Sequence, residues 1–119
     1  MGAETVVNDY EAVIAAGQSV SGAVDLGPRH LFAIQTPAVL EAGTLCLSFL
    51  GSVDGINFFP IYDELGAEKF TTVVINAAQY ILVDPVPWLG IRWFKLRAGT
   101  LVASVAQAAD RTFALVAVR

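Results

Sequence analysis

The sequence predicts an all-β protein, a two-sheet antiparallel β-sandwich of jelly-roll type with about eight strands. Three observations carry this. Turn-forming Gly, Pro, Asp and Asn recur about every eight to twelve residues, the spacing of short strands. The intervals between them alternate apolar and polar residues with period two better than with the helical period of 3.6. β-branched and aromatic residues crowd those intervals. A chain of 119 residues has room for one domain. At this size folding removes about two-thirds of the unfolded chain's accessible surface, so a core forms without disulfides or metal.

Residues 1–11 begin polar and carry Val6, Val7 and Tyr10 later; they are expected to form an N-terminal arm that only a neighbour would order, with the sandwich domain over residues 12–119. Ser19–Asp25 and His30–Gln35 flank Gly27-Pro28 as two strands. Over Thr44–Leu50, alternation places Leu45, Leu47 and Phe49 on the core face and Cys46 and Ser48 on the other. The Asp54-Gly55 pair is a tight-turn signal, because Gly accepts positive φ, and Phe58–Tyr62 completes a hairpin. Pro60 lacks an N–H and assigns that second strand to a sheet edge or bulge.

A further turn is expected at Glu64–Glu68 around Gly66. Phe70–Ile75 reads as a strand, Asn76–Ala78 as its turn, and Tyr80–Asp84 as the next strand, with Tyr80 and Leu82 on one face and Pro85, Pro87 and Gly90 ending it. Ile91–Arg97, with Phe94 and Leu96 inward and Lys95 and Arg97 outward, and Thr112–Val118, with Phe113, Leu115 and Ala117 together, read as central strands. Gly99–Arg111 is a loop or one short helix.

Seven basic residues against eleven acidic ones give a net charge of −4, a poor balance for a phosphate-backbone ligand, so no nucleic-acid partner is expected. Only 15% of residues are charged and 55% are hydrophobic, against about 25% charged in ordinary soluble domains, so part of the outer surface must be apolar. The longest charge-free stretch, Phe70–Val83, has 14 residues and contains Thr71, Thr72, Asn76 and Gln79; it falls short of a spanning helix, and no membrane is expected. The N-terminus lacks the basic segment of a signal peptide. Cys46 is the lone cysteine. Protein is the remaining outlet for the apolar surplus.

Nothing in the chain calls for a reaction, a cofactor or a metal. His30 is the sole histidine and has no ligand-spaced partner; the serines lie in no nucleophile context; Asp63-Glu64 reads as a solvated turn. The protein is expected not to be an enzyme. Trp88 and Trp93 are candidate protein anchors or sugar platforms, the alternative being that Trp88 caps the sandwich end and Trp93 fills space under a loop. The candidate interface residues are Val6, Val7, Tyr10, Trp88, Trp93, Lys95 and Arg97, with Asp54, Gly55 and Gly66 as structural turns.

Gly51, Ser52, Asp54, Gly55 and Phe58, followed by Asp63 and Gly66, resemble the Ser-x-Asp-Gly-x-x-aromatic hairpin of discoidin-like β-sandwiches. Asp84-Pro85, then Lys95-Leu96-Arg97 with Gly99-Thr100, then Gln107-Ala108-Ala109 with Arg111, resemble a group of small virion proteins of tailed phages, a similarity running from about Val20 to Val118. The resemblance implies a virion structural protein: first a capsid decoration or cement protein on the outer surface of the major capsid protein shell, acting as a homo-oligomer, for instance a trimer. The alternatives are a tail, baseplate or fibre-attachment component and a carbohydrate-binding adsorption module whose partner is a glycan.

Overall fold

A computed structural model describes residues 6–68, 73–74, 76–84 and 86–119. Among these the chain forms nine strands: β1 (Val6–Ile14), β2 (Val24–Asp25), β3 (His30–Gln35), β4 (Cys46–Ser52), β5 (Phe59–Pro60), β6 (Val73–Val74), β7 (Tyr80–Leu82), β8 (Trp93–Ala98) and β9 (Arg111–Val118). A 3-10 turn, Val86–Trp88, precedes β8, and among the described residues no helix is long and apolar enough to cross a membrane. All pairings are antiparallel. The first sheet has the order β1-β9-β3-β7; the second has β2-β8-β4, with β5 and β6 sharing the far edge of β4. The result is the two-sheet β-sandwich expected.

Alternation builds the core between the sheets. Phe113, Leu115 and Ala117 of β9, Leu47 and Phe49 of β4, and Phe94, Leu96 and Ala98 of β8 all point inward and are fully buried. β8 and β9 are central, as their sequences indicate. Two strands carry a shift in register. In β3 the register shifts between Leu31 and Ala33, so Leu31 and Ile34, three apart, both reach the core. In β1 a similar shift lies between Val7 and Tyr10. The sheets are joined along one side by the segment after β1: Ser21 N–H donates to Leu96 C=O at 2.7 Å and Gly22 N–H to Val13 C=O at 3.3 Å.

Several expectations are corrected. Residues 6–11, assigned to an arm, lie within β1, because β9 offers them a complete edge to pair with; residues 1–5 lie outside the described residues. Leu45 precedes the strand and is mostly exposed instead of joining Leu47 and Phe49. Of Ser19–Asp25 only Val24–Asp25 is regular strand, with Val20 bridged to Arg97. Of Phe70–Ile75, Val73–Val74 pair with β4 and the rest lie outside the described residues. Between Gly99 and Asp110 the chain takes the first of its two expected forms, a loop. Gln107 orders this loop: its buried side chain accepts from Glu41 N–H and donates to Thr44 Oγ1.

Candidate interaction surface at the hairpin end

The β4–β5 hairpin turns over residues 53–58, and Asp54 organises it. One carboxylate oxygen accepts the N–H groups of Ile56 and Asn57 at 2.8 and 2.9 Å and the Ser52 hydroxyl at 2.8 Å; the other accepts from Asn57 Nδ2 at 3.0 Å. These donors, led by the Asn57 and Ile56 N–H groups, hold the carboxyl well below the usual range. Gly55 has φ of +76°, and a Cβ there would meet the Trp93 indole at 3.2 Å, so the turn lies directly against that ring. Asp63 performs a similar task one turn later, accepting from Leu65 and Ala67 N–H around Gly66. The three turn residues singled out in the sequence hold these roles.

Beneath the hairpin, an open groove of about 380 Å³ runs between residues 51–61 and the turn at Gly90-Ile91. Gly51 sits on the inner side of β4, opposite Phe59, and leaves room for Ile61, which comes within 3.3 Å of where a Cβ would stand. Phe59, Ile61, Ile91 and Val53 make the groove apolar, with Asn57 and Ser52 at its polar side. The hairpin residues Val53 and Ile56 are 94% and 79% exposed, Phe59 68%, and Leu89, next to the lining residue Gly90, 61%. Asp54 is the charged lining residue, and its carboxylate is turned to the hairpin's own donors. Apolar side chains this open, gathered around a concavity, are the kind of surface that marks association.

The sequence-selected interface residues separate into distinct environments. Trp93 is half-buried on the outer face of β8, where Gly55 lies against its indole and the Arg92 guanidinium sits 4.3 Å from its centre. Arg92 in turn pairs with Asp25 at 2.8 Å, and that guanidinium, followed by Gly27 N–H, lowers the Asp25 carboxyl. Lys95 is half-buried with its ammonium 4.7 Å from the Phe58 ring. Trp93, Lys95 and the hairpin therefore meet at one end of the second sheet.

Trp88 and Arg97 require correction. Trp88 is fully buried: the 3-10 turn folds it under the sandwich end, where its ring meets Phe49 at 5.0 Å and Phe94 at 4.9 Å in edge-on geometry. It is core, not an anchor or platform. Arg97 does stand on the outer face, yet its side chain is 5% exposed, held by Glu68 and by Ser48 Oγ at 2.8 Å. Tyr10 is half-buried against the core, its hydroxyl donating to Leu26 C=O at 3.2 Å. The side chains of Val6 and Val7 lie outside the described residues.

The sequence reading missed Val53, Ile56, Phe59 and Leu89. Their signal was present: each is a large apolar residue inside or beside a turn, where the chain has no core to face. Among the described residues no three of His, Cys, Asp and Glu come together to hold a metal ion. Comparison with protein-family models, curated proteins and solved structures found no match to this chain. The fold and this surface define a small two-sheet β-sandwich with an apolar groove at its hairpin end.

Proposed function

We propose that this chain is a non-enzymatic virion subunit of the capsid-decoration type, docking its hairpin end on the outer surface of a major capsid protein shell. The observation that carries the reading is the groove under residues 51–61, lined by the exposed Val53 and Phe59, with the exposed Ile56 and Leu89 next in the chain to its lining residues Asn57 and Gly90. Burying such side chains contributes about 25 cal/mol per Å² of apolar surface, and the groove brings almost no charge to be desolvated. The order of the phage-like motifs supports the virion setting. A subunit that binds only the assembled shell stabilises that state by mass action, and many copies act together.

The test is depletion and add-back. Particles stripped of the protein should lose heat tolerance, wild type should restore it, and Phe59→Asp should not, although its circular dichroism remains native. Unchanged tolerance after stripping rejects the decoration role; full restoration by Phe59→Asp rejects the docking face. Copy number in purified virions separates a decoration protein, comparable in amount with the capsid protein, from a tail or baseplate component.

A further inference from the structure

Ser48 and Arg97 stand opposite each other on the outer face of the second sheet, where alternation sends side chains to water, yet Ser48 is fully buried and Arg97 nearly so. The chain that follows β5 reaches this pair at Glu68. It leaves the edge of β4 at Ile61, whose N–H donates to Phe49 C=O at 3.3 Å, and rejoins that edge at Val73, opposite Leu47. Between these points residues 62–68 close on themselves. Tyr62 bridges to Glu68, Asp63 N–H donates to Ala67 C=O at 2.8 Å, and the Asp63 carboxylate accepts from Leu65 and Ala67 N–H at 2.9 and 3.0 Å. Internally bonded in this way, residues 62–68 form one closed unit.

Glu68, at the end of that unit, reaches Arg97 across the sheet, and their side chains are 15% and 5% exposed. Arg97 Nε also donates to Ser48 Oγ at 2.8 Å, and Ser48 donates onward to Gly99 C=O at 2.7 Å, so the guanidinium is fixed to β4 and to the end of β8. The half-buried Cys46 thiol lies close enough that its pKa is raised by burial and, after that, by the Glu68 charge. We propose that residues 62–68 are a strap latched over β4 by the Glu68–Arg97 ion pair, and that this pair controls how often the β5 and β6 edge opens. A pair this well covered is little screened by salt, and breaking it strands a charge, so the strap is either down or released.

Amide hydrogen exchange on Glu68→Gln tests the latch. The expected result is exchange at least about tenfold faster at Ile61 and at the β4–β6 pairing, with the β4–β8 ladder within about twofold of wild type, as local opening requires. The double variant Glu68→Leu/Arg97→Met, which removes both charges, should return the edge towards wild-type exchange. No change in Glu68→Gln, or equal acceleration of both ladders, overturns the proposal. If Glu68→Gln does not fold, Arg97→Lys, which keeps the charge and loses the fork, decides by the same comparison of the two ladders.

Discussion

Replacing Trp88 by alanine removes the largest fully buried side chain among the described residues from the place where the 3-10 turn packs on β4 and β8 of the second sheet. Truncating a buried Trp to Ala costs about 3–5 kcal/mol, since the surrounding rings only partly collapse into the space. Here those rings are Phe49 and Phe94, each about 5 Å from the indole, and edge-on aromatic pairs contribute about 0.5–1.5 kcal/mol beyond area. Against a total stability of about 5–15 kcal/mol, the loss is about a fifth or more. It corresponds to a fall in Tm of about 12–20 °C at about 4 °C per kcal/mol. Trp88→Phe, which keeps an aromatic face for both neighbours, should lose about half as much. Urea unfolding followed by far-UV circular dichroism measures both variants without relying on indole emission. A loss under about 1 kcal/mol for Trp88→Ala would mean that the indole does not pack against Phe49 and Phe94, and the assignment of Trp88 to the core would fall.

Gly55→Ala places a Cβ 3.2 Å from the Trp93 indole at φ of +76° and should destabilise by about 1–2 kcal/mol, whereas Gly17→Ala, at φ of +83° with nothing within 4 Å, carries only the backbone strain; the difference between the two melts reports the Trp93 contact. Ser48→Ala leaves Gly99 C=O and Arg97 Nε without their shared hydroxyl and should cost about 1–3 kcal/mol in the same assay. The Asp54 carboxyl titrates below its unfolded value of about 4, so its support of the hairpin is present above that pH and is lost as pH falls through the lower folded value. Amide exchange at Ile56 and Asn57, compared between wild type and Asp54→Asn on acidification, checks the sign: the wild type should show this carboxyl-dependent loss, and the variant should lack it.

The strands most legible in the sequence were those with unbroken alternation. Phe94-Leu96 and Phe113-Leu115-Ala117 declare their buried face by period two alone, and Pro60 correctly marked an edge. Where a strand carries an extra residue, the period fails: Leu31 and Ile34 are three apart, and only the pairing with β9 shows that both face inward. β1 was unreadable for a related reason, since its order comes from β9, about a hundred residues later in the chain, and not from its own polar start. Of the two readings of Trp88, the cap of the sandwich end holds and the interface anchor does not: prolines and a glycine around it signal a loop, and loops usually lie at the surface, but the compact 3-10 turn reverses that locally. Arg97 was placed on the proper face, but its burial depends on Glu68, twenty-nine residues earlier. Of the candidate surface, the Asp54-Gly55 turn and Trp93 were visible as local chemistry, while the groove exists only once Gly51, Ile61 and Ile91 are brought together.

The two indoles, on opposite faces of β8's sheet, give the molecule a built-in pair of optical reporters. Trp88, dry and ringed by phenylalanines, should emit at short wavelength and change only when the fold melts. Trp93, beneath the hairpin turn and beside a guanidinium, should respond when something settles on that end of the molecule. Fluorescence from the unlabelled protein thus separates loss of structure from engagement of a surface in a single titration.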